Sequence, residues 1–124
     1  PEDPARIEWR RLPPHPGEPL YRTAATGTER GGRRVIFAGG SPNPYNYDGV
    51  GYDGEPSPPS DRVFAFDLDD GAWRDVGRLP DGTMDHRGLL ETGGGYVIVG
   101  GMRAGQRVVD EVMRFRIPGS EASR

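Results

Sequence analysis

The hydrophobic residues of the chain occur in short runs bounded by glycine, proline and polar turn residues. No stretch of ten or more residues shows a helical spacing of apolar positions without a glycine or proline interrupting it. The runs are rich in β-branched and aromatic residues, which favour strands. This pattern predicts an all-β fold with eight strands, at residues 7–12, 21–27, 34–38, 62–68, 72–76, 87–92, 96–99 and 108–117.

Two of these runs have no polar alternation. They are VIFA at residues 35–38 and YVIV at residues 96–99. A strand that is apolar on both sides is buried on both faces, which in a small chain means a sheet packed between other sheets. In residues 108–117 the apolar positions instead alternate with arginine near the end, which predicts a strand with one face in water.

The same order of residues occurs twice along the chain. Each copy has a tryptophan before a Leu-Pro pair, then an arginine, then an apolar run that ends in Gly-Gly. The matched residues are Trp9 with Trp73, Arg22 with Arg87, Gly39-Gly40 with Gly100-Gly101, and Phe66 with Phe115. Without most of the insertion at residues 41–61, the repeat is about 45–50 residues long, the range of propeller blades.

This order resembles the kelch repeat of β-propellers over residues 7–117. The second copy departs from it, because Phe115 is followed by Arg116 where the first copy has Phe66-Asp67. The resemblance implies a kelch-type β-propeller fold with two four-stranded antiparallel blades, read as D-ABCD-ABC with strand A innermost. It also implies structural roles for the tryptophans and the double glycines, namely Trp9, Trp73, Gly39, Gly40, Gly100 and Gly101.

Elementary sterics and packing agree with those roles. Glycines that end a buried strand allow a positive φ, or a backbone approach too close for a Cβ atom. Tryptophan supplies a large plate that fills the space between twisted sheets.

The chain is predicted to be a single partial propeller unit over residues 1–124, with an insertion loop at 41–61 and a tail at 118–124. Two blades are too few for a closed propeller and leave sheet edges unpaired. The expected partners are therefore further blades, from the same polypeptide or from other copies of the chain. A piece of a longer propeller is favoured, because family members usually carry all blades on one chain. In an assembly, the strand at 7–12 could complete a neighbour's three-stranded set, and three chains would make six blades.

Composition excludes several classes of protein. The formal charge is −3 with both signs mixed along the chain, so no basic face indicates nucleic-acid binding. No run approaches the ~18 apolar residues of a membrane span, and no signal-peptide pattern occurs in the given chain. Cysteine is absent, which excludes disulfides, thiolate chemistry and cysteine zinc sites but does not fix the compartment.

The long loop at 41–61 is the main candidate for a binding site. In an up-and-down blade, B–C and D–A connections emerge on the same side, so this loop is expected beside residues 13–20 and 81–86. Its aromatic and acidic side chains would suit a glycan or a peptide. These candidates are Tyr45, Tyr47, Asp48, Tyr52, Asp53 and Glu55. The alternative is a proline-stiffened loop whose tyrosines pack on its own backbone.

No metal or cofactor is expected. The acidic residues of the loop do not have the spacing of an EF-hand. The chain has two histidines, His15 and His86, and no cysteine, whereas zinc needs three or four ligands.

Three further residues are candidates near the innermost strands. Arg22 and Arg87 open these strands and could clamp a ligand carboxylate. The alternative, which we favour, is a structural ion pair with an acid such as Asp67 or Asp85. His86 beside Asp85 could act as a general acid or base, although sequence neighbours in a loop often point apart.

The favoured function is a non-catalytic propeller module that binds a protein or glycan through the B–C and D–A loops. The alternative is a carbohydrate-processing enzyme, such as the sialic-acid epimerases or mutarotases that some bacterial kelch-like propellers resemble. The copper-oxidase version is excluded, because that chemistry needs a cross-linked Tyr-Cys. A purely structural assembly part is the third hypothesis.

Overall fold

The structure is a computed structural model that describes residues 3–118. These residues form an all-β fold with two short 3-10 helices, Pro4–Arg6 and Ala104–Gln106. No helix in this described part is long and apolar enough to cross a membrane. The strands are β1 (Ala24–Thr28), β2 (Arg34–Ala38), β3 (Arg62–Asp67), β4 (Trp73–Arg78), β5 (Leu90–Thr92), β6 (Gly95–Val99), β7 (Met102–Arg103), β8 (Arg107–Val108) and β9 (Val112–Phe115).

Strands β1 to β4 form one antiparallel sheet in chain order, here named the first sheet. Ile36 of β2 lies opposite Ala65 of β3, and Phe37 lies opposite Phe64. Because side chains alternate along a strand, Ile36 and Ala65 share one face and the two phenylalanines share the other. This sheet confirms the predicted order of four consecutive strands.

Strands β5, β6 and β9 form a three-stranded antiparallel sheet, here named the second sheet. Tyr96 lies opposite Phe115 and Ile98 lies opposite Met113, so these four residues share one face. Strands β7 and β8 form a separate two-stranded hairpin inserted between β6 and β9. The predicted three-stranded set is present, and β2 and β6 lie in different sheets.

The main core lies between these two sheets. The first sheet presents small and β-branched residues, and the second presents larger ones. Its buried members are Ala24, Ile36, Ala38, Val63, Ala65, Leu79, Leu89, Tyr96, Ile98 and Ile117. Burial of each large aliphatic side chain contributes about 1.5–3 kcal/mol.

Hydrogen bonds join the two sheets along their innermost strands, β1 and β5, and the turn before β5. The Leu89 N–H donates to the Ala25 carbonyl oxygen over 3.2 Å. The Thr28 hydroxyl donates to the Glu91 carboxylate over 3.0 Å, and Arg30 pairs with the same carboxylate. We name this row of contacts the inner seam.

The opposite face of the first sheet carries an aromatic cluster. Phe37 and Phe64 stack with ring centroids 5.2 Å apart, and Trp73 lies 4.9 Å from Phe66. The Trp73 indole N–H donates to the Pro13 carbonyl oxygen over 2.8 Å. Trp73 thus packs on the face of the first sheet that points away from the core, and its predicted place between two sheets stays a prediction.

The strand predicted at residues 7–12 is wrong. This segment forms no ladder with any described strand, and Trp9 is 92% exposed, so Trp9 fills no space between sheets of this chain. A strand needs a partner edge, and none lies beside this segment in the described part of the chain.

Three strand boundaries are also corrected. The predicted strands at 21–27 and 87–92 form continuous ladders only from Ala24 and Leu90, and before Ala24 the chain forms an isolated bridge between Tyr21 and Ser41. The one predicted at 108–117 is interrupted at 109–111, where the chain leaves the β7–β8 hairpin. Beyond Pro118, the predicted tail lies outside the described residues.

Candidate functional site

The connections at one end of the two sheets lie together. Residues 40–61 contact residues 81–86 through hydrogen bonds from the Gly40 N–H to the Thr83 carbonyl oxygen, over 2.9 Å, and from the Thr83 N–H to the Ser60 carbonyl oxygen, over 3.0 Å. We name residues 13–20, 41–61, 81–86 and 102–108 the loop face. The predicted neighbourhood of the B–C and D–A loops is thus present.

The long loop is held by its own hydrogen bonds. Isolated bridges pair Tyr45 with Gly51 and Val50 with Pro56. The Asp48 carboxylate accepts the Val50 N–H over 3.1 Å. These contacts make residues 41–61 a folded platform rather than a free loop.

Asp53 also supports this platform. Its carboxylate accepts the Asn43 amide and the Glu55 N–H, both over 3.0 Å. These hydrogen bonds hold the pKa of Asp53 below its ordinary value, since both stabilise the charged form. Asp48 and Asp53 are therefore used in the fold of the loop, whereas the side chain of Glu55 is exposed.

Tyr45 is fully buried and does not face a ligand in this chain. It packs with Met84 and Met102 in a second, smaller core, and Tyr21 meets it edge to face at 5.2 Å. Burial raises the pKa of Tyr45 to about 12. Its ring is thus an anchor that holds the loop against residues 81–86.

Tyr47 and Tyr52 are the aromatic side chains that the loop presents to solvent. Tyr47 is 88% exposed and Tyr52 is 74% exposed. A rigid amphipathic ring at the surface binds sugar or peptide faces at a low entropic cost. Both side chains are therefore accessible, and their binding role stays a prediction.

Arg22, Asp85 and Arg87 form a charged cluster at the inner end of the loop face. Arg22 Nη1 lies 2.5 Å from Asp85 Oδ1, and Arg87 Nη1 lies 3.5 Å from the same oxygen. The predicted ion pair between Arg22 and an acid of the other repeat is present, with Asp85. The Arg22 guanidinium also lies over the rings of Tyr21 and Tyr45, 5.2 Å from each centroid.

The backbone at this cluster is strained. Arg22 has φ 50° and Asp85 has φ 65°, values that residues with a Cβ atom rarely adopt. Such a conformation costs on the order of 1–3 kcal/mol and collects at functional sites. Arg87, whose side chain is 75% exposed, keeps most of its donors in water and can meet a ligand carboxylate.

His86 is buried, so it neither meets solvent nor forms an acid–base pair with Asp85. Its Nε2 atom lies 3.0 Å from the Thr83 hydroxyl oxygen. Burial lowers the pKa of His86, while the nearby Asp85 opposes this shift and Arg103 adds to it. The Asp85 carboxylate instead pairs with Arg22.

The double glycines follow the last residues of β2 and β6 and lead into the loop face. Gly39, Gly40, Gly100 and Gly101 all have positive φ, between 67° and 107°. A Cβ atom on Gly39 would lie 2.5 Å from the Thr83 carbonyl oxygen. Their predicted structural role rests on both reasons, the positive φ and the close approach.

Two contributors to this face were not among the predicted elements. One is the β7–β8 hairpin, whose Gln106 amide lies 3.4 Å from the Gly49 carbonyl oxygen. Apolar Met102 and Val108 around Gly105 could have indicated this hairpin.

The other contributor is a cleft of about 190 Å³ between residues 13–20 and 41–61. Prolines 42, 58 and 59 line it, together with Glu18 and Arg62. The cleft offers an apolar floor with one acid and one base at its rim.

The comparisons with known proteins show a likeness in fold. No protein-family profile matches the chain, and no curated protein matches it. The solved structure of YjhT is similar, with a TM-score of 0.66 and 19% sequence identity over 92% of this chain. The chain spans 33% of the YjhT chain, about a third of its length. At this identity the likeness concerns the fold alone.

Proposed function

We propose that this chain is part of a kelch-type β-propeller and that its loop face binds a glycan or a protein. The repeat of strand order and double glycines supports the propeller, and so does the likeness in fold to a third of a longer chain. The observation that carries the binding function is the pair of exposed rings, Tyr47 and Tyr52, on a loop braced by the buried Tyr45.

The charged cluster supplies a second type of contact. Asp85 neutralises Arg22, whereas Arg87 shares only the 3.5 Å contact with Asp85 and remains largely exposed. Arg87 would therefore bind the carboxylate of a ligand, and the rings of Tyr47 and Tyr52 would provide apolar contact area. Ligand orientation by a few polar groups beside apolar surface is the usual design of such sites.

Binding has more support than proton-transfer catalysis. His86 is 5% exposed and Tyr45 is 0% exposed, so neither group reaches a substrate in this chain. Burial raises the pKa of Tyr45 to about 12, which makes its phenol a poor acid or base near neutral pH. The sugar epimerase or mutarotase function is the second proposal, with acid–base groups supplied by further blades.

Glycan and peptide arrays probed with the wild-type chain test the proposal. Tyr47→Ala with Tyr52→Ala is expected to lower the array signal at least tenfold, and Arg87→Ala is expected to lower signals from acidic ligands selectively. Matched controls at the other end of the sheets are Leu68→Ala, at a half-exposed side chain, and Arg33→Ala. Binding that survives both loop-face variants, or no binding at all, contradicts the proposal. Acceleration of sialic-acid mutarotation, followed by NMR, would favour the enzyme instead.

A further inference from the structure

The second sheet has an exposed apolar face on the side away from the core. Leu90 lies opposite Val97, and Val99 lies opposite Val112, so all four share this face. Leu90, Val99 and Val112 are 58%, 61% and 67% exposed. A cluster of large apolar residues at this exposure marks an interaction surface.

The internal repeat shows what covers the matching face of the first sheet. When the double glycines are aligned, Val97 and Val99 correspond to Ile36 and Ala38, which are 1% and 0% exposed. Those residues are buried by the second sheet itself. The exposed face of the second sheet is thus built like a face that another sheet covers.

The sheet that would cover it is present in the same chain. The second sheet packs on the core through Tyr96, Ile98 and Phe115, and the repeat aligns Ile98 with Phe37 and Phe115 with Phe66. In the repeat, the aromatic cluster of the first sheet therefore corresponds to the face of the second sheet that packs on the core. Its members Phe37 and Trp73 are half-buried, whereas Phe64 and Phe66 are already buried and His15 stacks on Phe64 at 5.2 Å.

The second sheet also lacks the fourth strand that the first sheet has. Strand β9 is an edge strand, and no described strand pairs with its outer side. In the first sheet this position is held by β4, where Trp73 lies opposite Phe66. The matching pair in the repeat is Trp9 opposite Phe115.

This register pairs compatible side chains at three of the aligned positions. With Trp9 opposite Phe115 in an antiparallel pair, Glu8 lies opposite Arg116 and Leu12 lies opposite Val112. Opposite charges and apolar pairs at such positions each contribute roughly 0.2–1 kcal/mol. Arg10 opposite Arg114 is an unfavourable pair of like charges on the same face as Val97 and Val112, and Arg11 lies opposite Met113 on the core side.

A cleft at the edge of β9 is open where the tryptophan would lie. Its volume is about 210 Å³, and Val63, Val76 and Phe115 are among its lining residues. Trp9 of the same chain is 92% exposed. One copy of the chain thus presents an exposed Trp9, and another presents an apolar cleft at the position that Trp9 would occupy in the repeat. These are the two sides of a heterologous contact.

We propose that a second copy of this chain docks head to tail on the second sheet. Its residues 7–12 add a fourth strand to β9, Trp9 enters the cleft beside Phe115, and its aromatic cluster covers Val97, Val99 and Val112. The second copy thereby supplies both a fourth strand at the edge of β9 and a cover for the exposed apolar face. The proposal does not depend on what the loop face binds.

Light scattering and native mass spectrometry measure the proposed assembly. The wild-type chain is expected to form closed assemblies of two to four copies, since propellers have four to eight blades. Trp9→Ala and Val99→Glu are each expected to give monomers. Leu68→Glu, at a half-exposed leucine outside the contact, is the control and keeps the assembly.

Mixing the two variants tests whether Trp9 of one copy meets the second sheet of another. The Trp9→Ala chain keeps an intact second sheet, and the Val99→Glu chain keeps an intact Trp9. A one-to-one mixture is therefore expected to form a heterodimer, although each variant alone is monomeric. A mixture that stays monomeric overturns the proposal.

Cysteine crosslinking tests the register without removing Trp9. The chain has no cysteine of its own. Arg10→Cys with Arg114→Cys is expected to give disulfide-linked copies under mild oxidation, whereas Glu8→Cys with Arg114→Cys is expected to give at least tenfold less. Equal crosslinking of both pairs contradicts the register. A wild-type monomer at all concentrations up to about 1 mM overturns the proposal and points to further blades on a longer polypeptide as the occupant.

Discussion

Replacing Gly39 with alanine tests how the end of β2 supports the loop face. Gly39 has φ +70°, and a Cβ atom there would lie 2.5 Å from the Thr83 carbonyl oxygen and 3.2 Å from Thr83 Cγ2. The same carbonyl oxygen accepts the Gly40 N–H over 2.9 Å. An added methyl group therefore pushes away the acceptor of a hydrogen bond that ties β2 to residues 81–86.

Gly71 provides the matched control. Its φ is also +70°, but a Cβ atom there would have no neighbour within 4 Å. A left-handed backbone costs an L-residue roughly 1–2 kcal/mol, so Gly71→Ala is expected to lose about that much stability. Gly39→Ala carries the same penalty plus about 1–3 kcal/mol for overpacking against backbone.

Thermal unfolding followed by circular dichroism measures the difference. A change of 1 kcal/mol shifts the midpoint by on the order of 4 °C in a chain of this size. Gly39→Ala is thus expected to unfold roughly 4–12 °C below Gly71→Ala. If both variants have the same midpoint, the close approach to Thr83 contributes nothing, and the structural role of the first double glycine reduces to its φ.

Three further predictions concern buried polar groups. Because burial lowers the pKa of His86, the unfolded state takes up its proton first, so stability is expected to fall between pH 7 and pH 5.5. Urea titrations should show this loss in wild type and in His15→Gln, but not in His86→Gln. Asp85→Asn, which tolerates the left-handed backbone, should cost about 1 kcal/mol by removing the partly exposed Arg22 pair, measured by the urea midpoint. Tyr96→Phe should leave the midpoint unchanged or raise it, because its buried hydroxyl makes no hydrogen bond within the described residues.

Each of these has an outcome that contradicts it. An unchanged pH profile in His86→Gln would show that other groups carry the loss. A loss in Asp85→Asn no larger than in Asp69→Asn, which removes a mostly exposed ion pair, would show that the Arg22 contact is worth no more than a surface pair. A loss above 1 kcal/mol in Tyr96→Phe would show that its hydroxyl has a partner.

The strands with two apolar faces could be predicted from the sequence because burial between sheets leaves a direct mark on composition. Strands β2 and β6 lie within one residue of where the pattern places them. Residues 7–12 mix apolar and charged positions and have no pairing edge in the described chain. The local pattern indicates whether a segment can form a strand, whereas a β-ladder also requires a neighbouring strand that pairs with it.

The candidate site could be predicted only in part. Side-chain type and loop position indicated the correct face, but Tyr45, Tyr47 and Tyr52 have the same chemistry and opposite burial. Which tyrosine turns inward depends on the contacts of Tyr45 with Met84 and Met102, far apart in sequence. The burial of His86 likewise depends on tertiary packing, which its position in the sequence does not show.

The inner seam has a mechanical consequence. Hydrogen bonds fasten the two sheets along β1 and β5, whereas at the outer end, beside β4 and β9, a cleft separates them. Directional hydrogen bonds therefore fix one side of the contact between the two sheets, whereas the other side depends on non-directional apolar packing around the cleft. A change in the angle between the sheets is thus expected to disturb the seam less than a separation of β1 from β5 would.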